Sequence, residues 1–218
     1  MRSVDKGSSP PGVDGTPLVF EQYIDAAPYL KARLGRFCSY CERTIPVNLA
    51  VEHKRPKQRY PELERDWSNL LLACGNCNSC KGKREPVGAD PAFPDELDTG
   101  AMYAYLPSGK IAPRHGLSSE DSARAAAMLN LLGLDRMPNS GGASDHRCID
   151  RLKVWRKAEQ SLHDLSGSDS DGLRRCIAEG AESSGGYSIW MTVFAGDADM
   201  CARLTSIHPG TRSAANVL

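Results

Sequence analysis

The spacing of apolar residues predicts that the second half of the chain is mainly helical. From 145 to 165, apolar side chains recur with the period of a helix that buries one face. A second helix is predicted from 118 to 134, where Ser118 lies three residues before Asp121 in the arrangement of a helix start. Weaker helical patterns cover residues 173–180 and 189–207. This half contains no motif with a chemistry of its own.

The first half is less regular, and prolines interrupt its pattern. Residues 1–16 contain little besides Gly, Ser, Pro and charge, so we expect a flexible N-terminal tail. Residues 17–34 have helical spacing that Pro28 must break or kink. Residues 87–117 predict a mostly irregular connector, in which 102–106 could form a strand.

The charge is unevenly distributed, although it sums to zero over 218 residues. Residues 31–86 contain twelve Lys and Arg against six Asp and Glu. A basic segment inside a neutral chain is expected at a phosphate-binding face, although an ordinary solvated surface has the same composition. The start of the chain has no apolar run typical of a signal peptide, and no stretch is long enough to span a membrane. We therefore expect a cytoplasmic protein without a membrane partner.

Cysteine spacing carries the first chemical signal. Cys38 and Cys41 form one CxxC pair, and Cys74 and Cys77 form a second. Either pair alone could be a redox motif or an ordinary core pair, but two such pairs flanking a small polar segment predict a tetrahedral Zn²⁺ site. Four thiolates leave no open coordination position, so this zinc is expected to be structural. Cys80 is expected to be a bystander thiol.

Between the two cysteine pairs lie residues suited to two short antiparallel strands followed by a helix. An apolar approach leads to Glu52 and His53, and a second apolar run follows Asn69. The residues after Cys77 can begin a helix, with Asn78 near its N-terminus. In isolation, Glu52 and His53 would be taken as a surface polar pair, and Asn69 as a turn residue.

These runs, CxYC, EHxxP and WxNLLLACxxCNxxKG, resemble the HNH (ββα-metal) nucleases over residues 38–84. More loosely, the chain length, the stretch EHKRPK, the segment LNLLGLDR and a late PGT resemble the HNH nuclease subunit of Septu and retron-type anti-phage defence systems. The first resemblance implies a metal-dependent endonuclease. The second implies an effector that acts with an ABC-type ATPase partner.

The resemblance also implies a role for each matched residue. His53 takes the position of the general base, and Glu52 and Asn78 take the positions of ligands to a catalytic Mg²⁺ or Mn²⁺. Asn78 stands where the family name has its final His. Asn69 takes the position of the residue that holds the loop and orients the histidine.

Five basic residues are expected to hold phosphates of nucleic acid, with DNA favoured: Lys54, Arg55, Lys57, Arg59 and Lys81. Two other interpretations stay open at this point. The chain could be a catalytically silent, zinc-dependent nucleic-acid-binding module, or an interaction subunit whose nuclease is dormant until assembly.

The predicted fold class is α+β and mainly α, a small zinc-stapled ββα-metal (HNH) module with a helical C-terminal extension. The predicted division is a tail at 1–16, an N-terminal helix with the HNH module at 17–86, a connector at 87–117, and an extension at 118–218 that docks a partner. The histidines outside the module are expected at the surface or at helix caps: His115, His146, His163 and His208.

Overall fold

The structure is a computed structural model that describes residues 1–136 and 145–212. The strands are β1 (Ala50–His53), β2 (Leu70–Ala73), β3 (Tyr103–Tyr105) and β4 (Ile111–Pro113). The α-helices are α1 (Ala27–Leu34), α2 (Gly75–Lys81), α3 (Thr99–Met102), α4 (Ser119–Leu132), α5 (Arg147–Gly167), α6 (Asp171–Ser184), α7 (Tyr187–Val193) and α8 (Ala198–Ser206). This helix-rich α+β architecture confirms the predicted fold class.

Residues 38–84, called the ββα module below, contain an antiparallel pair of strands followed at once by a helix. β1 pairs with β2 so that Glu52 lies opposite Leu71 and His53 opposite Leu70. All four residues of β2 are apolar and buried, which anchors the pair in the core. Because α2 starts two residues after β2 ends, the short connection holds the helix beside β1.

The helix α2 begins at Gly75, earlier than the sequence pattern predicted. Its N-cap is Cys74, whose sulfur accepts a hydrogen bond from the backbone N–H of Cys77 at 3.4 Å. A thiolate in a CxxC turn can therefore act as a helix cap as well as a metal ligand. Asn78 consequently lies within the helix, one turn before Lys81.

Pro28 lies in the first turn of a helix and does not break one. The predicted single helix at 17–34 is instead a 3₁₀ turn at Tyr23–Ala26 followed by α1, with Pro28 in the first turn of α1. A proline is tolerated there because the first N–H groups of a helix have no partner within the helix. The turn places Tyr23 against β1, which matters for the site described below.

The expectation of a flexible tail is wrong for residues 1–6. Met1 is 2% exposed and Val4 is fully buried. The backbone N–H of Val4 donates to the carbonyl of Pro94 at 2.7 Å, and the Lys6 ammonium donates to the carbonyl of Leu70 at 2.8 Å. Composition suggested disorder because the segment has few apolar residues, but its polar groups meet partners from distant parts of the chain.

The connector contains a small hairpin. β3 pairs antiparallel with β4, with Tyr103 opposite Pro113 and Tyr105 opposite Ile111. The strand suggested at 102–106 is therefore confirmed as β3, with α3 immediately before it. Within the connector, Pro91 and Pro94 lie outside strands and α-helices, as expected for residues that lack a backbone donor.

In the helical extension, described over 118–136 and 145–212, the two strongest predicted helices are confirmed as α4 and α5. Ser118 caps α4 by accepting from the backbone N–H of Asp121 at 3.0 Å. The pattern at 189–207 covers two helices, α7 and α8, because Asp197 caps a new start and accepts from Met200 N–H at 3.0 Å. One hydrophobic core runs through the module, the hairpin and the extension.

His208 is a further correction, because it is buried and not at the surface. Its side chain is 1% exposed, and Nδ1 lies 2.7 Å from the carbonyl oxygen of Leu204. Its ring centroid is 4.6 Å from that of Phe37 and 5.0 Å from that of Tyr187. Burial lowers the pKa of His208 to about 4.

Within 1–136 and 145–212, no helix has the length and hydropathy needed to cross a membrane.

Candidate metal centre and catalytic site

The two cysteine pairs converge as the spacing predicted. The sulfurs of Cys38, Cys41, Cys74 and Cys77 all lie within 4.8 Å of one another, and all four residues are buried. Such a set of soft donors fits Zn²⁺, and it has no room for a substrate among its ligands. Hydrogen bonds among these thiols, those of Cys38 foremost, lower the pKa of Cys74 and Cys41. Burial raises the pKa of Cys38, and hydrogen bonds to the other thiols raise that of Cys77. Cys80 is not a member of this cluster.

Two arginines place positive charge against the cysteine cluster. Arg43 Nη2 donates to Cys74 Sγ at 3.3 Å, and Arg147 Nη1 donates to Cys77 Sγ at 3.2 Å. Arg147 is 2% exposed and belongs to α5. The extension therefore contributes directly to the surroundings of the cluster, since a tetrathiolate zinc site carries net negative charge that guanidinium groups offset.

Three of the four residues predicted to be catalytic share one cleft, and Asn69 is not among the residues that line it. A cavity of about 240 Å³ is lined by Glu52 and His53 from β1 and by Asn78 and Lys81 from α2. The pairing of β1 with β2 and the immediate turn into α2 bring these residues together. The predicted convergence of an imidazole, a carboxylate and an amide is thus present in the structure.

His53 is held in a definite orientation. Its Nε2 lies 2.8 Å from the backbone carbonyl oxygen of Glu64. A carbonyl only accepts, so in the neutral ring Nε2 carries the hydrogen and Nδ1 keeps the lone pair. Burial lowers the pKa of His53 below its ordinary value, partly offset by the hydrogen bond to Glu64. The ring is therefore neutral near pH 7 and able to accept a proton at Nδ1.

Glu52 forms a buried ion pair with Lys81. Glu52 Oε1 lies 2.8 Å from Lys81 Nζ, and the two side chains are 7% and 1% exposed. Burial raises the pKa of Glu52, and the nearby ammonium of Lys81 partly offsets that shift. The carboxylate is thus already close to one cation before any divalent ion is considered.

Asn69 fastens the loop that follows β1. Its side-chain oxygen accepts from the backbone N–H of Arg55 at 2.7 Å, and its amide nitrogen donates to the carbonyls of Arg55 at 3.0 Å and Leu63 at 3.1 Å. The side chain is 2% exposed. The loop tied down in this way also contains Glu64, whose carbonyl orients His53.

The five basic residues expected to hold phosphates divide into two groups. The prediction for Lys54 is wrong for its position in the structure, because it is 7% exposed, its ammonium lies 2.9 Å from Asp95, and it does not line the cleft. Lys81 is also buried, but it lines the cleft. The other three are at the surface in ion pairs, Arg55 with Asp90, Lys57 with Glu64 and Arg59 with Glu85. Such exposed pairs are weak and can be exchanged for a phosphate.

Tyr23 is a cleft residue that sequence reasoning missed. Its ring centroid lies 4.6 Å from that of His53, and the Lys57 ammonium lies 4.4 Å from the centre of the Tyr23 ring. Lys83 also lines the cleft and is exposed. No sequence signal identified Tyr23, because it lies outside the cysteine-flanked motif and reaches β1 only through the 3₁₀ turn.

Comparison with known proteins agrees with this geometry. Residues 38–84, which hold both cysteine pairs and the cleft residues of β1 and α2, match the model of the HNH endonuclease family. The chain is also similar to the Septu protein PtuB of Bacillus thuringiensis, with 35% identity over 94 residues. That similarity covers 38% of this chain and 36% of PtuB. Both the ββα-metal resemblance and the more specific resemblance to a Septu nuclease are therefore supported, and the chain matches about a third of its relative's length.

Proposed function

We propose that this protein is a metal-dependent endonuclease that hydrolyses phosphodiester bonds of nucleic acid. The observation that carries the proposal is the meeting of Glu52, His53 and Asn78 in one cleft next to the buried four-cysteine cluster. A purely structural zinc module has no need of an oriented, neutral imidazole beside two oxygen donors. The match of residues 38–84 to the HNH endonuclease family supports the same function.

His53 acts as the general base in this proposal. Its Nε2 is engaged by the Glu64 carbonyl, so the lone pair at Nδ1 takes the proton from the attacking water. The lowered pKa keeps the ring unprotonated near pH 7. Asn69 has a positioning role, since it ties down the loop whose carbonyl fixes the imidazole.

Glu52 and Asn78 would hold the divalent ion. Carboxylate and amide oxygens are the donors that Mg²⁺ and Mn²⁺ prefer, and both side chains line the cleft with His53. When bound there, such an ion would stabilise the negative charge that develops on the phosphate and on the leaving oxygen. The four cysteines would hold a separate, structural zinc.

The nucleic acid would lie along the basic rim of the cleft. Arg55, Lys57 and Arg59 are the surface members of the predicted set, and Lys83 adds an exposed ammonium next to the cleft. Contacts of this kind position the backbone without choosing a base sequence, and they weaken as salt rises. We propose DNA as the favoured substrate.

The similarity to PtuB supports a biological setting. We propose that the protein is a cytoplasmic effector of an anti-phage defence system of the Septu or retron type. In this proposal it acts with an ABC-type ATPase, and the helical extension provides the docking surface for that partner.

A catalytically silent, zinc-dependent nucleic-acid-binding subunit is the second candidate. One observation favours it, which is that Lys81 already neutralises the carboxylate of Glu52. The two candidates differ in whether the bound nucleic acid is cut, so a cleavage assay separates them.

The test is cleavage of plasmid DNA in Mg²⁺ or Mn²⁺ by the zinc-loaded protein and by His53→Ala, with and without a co-purified ATPase and nucleotide. Loss of the base should reduce the rate by roughly 10²- to 10⁴-fold while zinc content stays unchanged. His163→Ala, at an exposed histidine of α5, is the matched control. Equal cutting by the wild type and His53→Ala would refute the proposed base, and binding without cutting in every assembly would favour the silent subunit.

A further inference from the structure

Lys81 is a charged side chain directed into the protein. It is the last residue of α2 and is 1% exposed, with its ammonium 2.8 Å from Glu52 Oε1. Apart from this ion pair, the ammonium has no hydrogen-bond partner within the described part of the chain. An ammonium group has three donors, so a buried lysine with one ionic contact is poorly satisfied. Among the described residues, the carboxylate of Glu52 is therefore the group that compensates the buried charge of Lys81.

The same carboxylate is the one that a divalent cation would need. Asn78 precedes Lys81 by three residues in α2, so the two side chains project from the same face of the helix. Both line the cleft together with Glu52. An ammonium and a divalent ion on one buried carboxylate would repel strongly, because little water screens them.

We propose that Lys81 is an exchangeable counter-ion of Glu52, which neutralises the carboxylate in the absence of a divalent ion and leaves it when one binds. This inference rests on the proposed function, since it concerns the metal site of the same cleft. Its physical basis is that a buried carboxylate needs one compensating cation at a time. Lysine suits the exchange because its long side chain has a single point charge and several rotatable bonds.

The exchange would also alter the substrate side of the cleft. A displaced ammonium moves away from Glu52 and toward the open part of the cleft, where a phosphate would lie. Lys81 would then contact phosphate only after the metal site is filled. This order reconciles the burial of Lys81 with the sequence-based expectation that it holds phosphate.

A consequence is that the wild-type protein binds divalent ions more weakly than its ligands alone would allow. Two substitutions remove the competing charge. Lys81→Met keeps the length and apolar stem, and Lys81→Gln keeps a neutral donor toward Glu52 if the methionine variant folds poorly. Lys83→Met is the matched control, because Lys83 lines the same cleft but is exposed.

The experiment measures Mn²⁺ binding to the full, zinc-loaded chain by the loss of the free Mn²⁺ signal in electron paramagnetic resonance. Mn²⁺-induced shifts in Tm provide a second measurement. Both Lys81 variants should bind Mn²⁺ about tenfold or more tightly than the wild type and show larger Mn²⁺-induced Tm shifts. Lys83→Met should stay within about twofold of the wild type, since an exposed charge is screened.

Equal Mn²⁺ affinity in the wild type and both Lys81 variants would overturn the inference, as would weaker or undetectable binding by both variants. The proposed function fails by a different observation, namely binding of nucleic acid without cleavage in every assembly. Tighter Mn²⁺ binding in the Lys81 variants of a protein that does not cleave would leave the exchange intact and remove the nuclease assignment.

Discussion

Two glutamates of the ββα module, ten residues apart in sequence, are both buried but are satisfied in opposite ways. Glu42 is surrounded by donors. Its carboxylate accepts from the backbone N–H of Arg2 at 2.6 Å, from the hydroxyl of Tyr105 at 2.9 Å, and from both the N–H and the hydroxyl of Ser188 at 2.7 Å. Glu52 faces an open cleft with one ammonium beside it.

The difference separates a structural carboxylate from one that we propose as a ligand of a metal ion. The donors to Glu42 come from the chain start, the β3–β4 hairpin and α7, so this group joins three segments to the first cysteine pair. Burial alone would raise the pKa of Glu42, but the N-terminal ammonium of Met1 and these hydrogen bonds outweigh burial and lower it. Burial raises the pKa of Glu52. A carboxylate that accepts hydrogen bonds from several groups of the protein is not available to bind a ligand. A carboxylate with one ionic partner can bind a cation from solvent.

Removing the proposed zinc should unfold the ββα module, so that Glu42 and Glu52 no longer differ in their surroundings. This is the largest effect expected. Cys41 directly precedes Glu42, and Cys74 directly follows the strand paired with Glu52. Elemental analysis should find about one zinc per chain, and Cys77→Ser or a strong chelator should cost on the order of 10 kcal/mol of folding free energy within the module. Near-ultraviolet circular dichroism would report the loss of tertiary packing.

The matched control for the zinc site is Cys80→Ser, since Cys80 lies outside the four-sulfur cluster. It should retain zinc. Zinc lost equally from Cys80→Ser and Cys77→Ser, or absent from the freshly purified wild type, would contradict the assignment of the four ligands.

Substitution of the glutamates themselves should show the contrast in stability. Glu42→Gln removes the charge around which several buried donors are arranged, and should destabilise the fold by about 3 to 5 kcal/mol. The double variant Glu52→Gln/Lys81→Met removes a whole buried pair, and should stay within about 1 kcal/mol of the wild type. Urea unfolding of the zinc-loaded proteins measures both values, and similar losses in the two would mean that Glu52 is also a structural group.

The smallest of these effects concerns acid stability near Glu42. His208 contacts Tyr187 in this region, and its folded pKa of about 4 lies below its ordinary value of 6.5. The unfolded chain therefore binds the proton more readily, so the stability present above pH 6.5 is lost as pH falls through 6.5 toward 4. The loss attributable to His208 is at most about 3 kcal/mol.

His208→Gln should flatten that pH dependence, as measured by the free energy of unfolding between pH 7 and pH 4. His163→Gln, at an exposed site, serves as the control and should leave the slope as in the wild type. A slope unchanged in His208→Gln would show that another group is responsible.

Local spacing was sufficient to predict the cysteine cluster and the meeting of Glu52, His53 and Asn78 in one cleft. Two CxxC turns joined by two short strands leave few ways to arrange Cys38, Cys41, Cys74 and Cys77, and the module brings β1 beside α2 over a short stretch of chain. The helices α4 and α5 were also predictable, because an apolar face and a cap such as Ser118 depend on residues only a few positions apart in sequence.

Distant partners account for what could not be predicted. Lys54 and Arg59 look alike in a basic stretch, yet Lys54 is buried against Asp95 while Arg59 stays at the surface. Residues 1–6 look disordered by composition and are buried through contacts with Pro94 and Leu70. Nothing in the local sequence specifies such pairs, because each depends on segments that are brought together only on folding.

By itself, then, the amino-acid order determined which ligand types exist, how the thiols are spaced, and which face of each long helix is apolar. Tertiary structure decided which charged groups are paired inside the protein and which can still bind a ligand. The reason is electrostatic: the strength of a charge depends on the water and partners around it, and these are set by the whole fold. Glu42 and Glu52 are the same residue type in the same module, and only their surroundings make one an anchor and the other a candidate ligand.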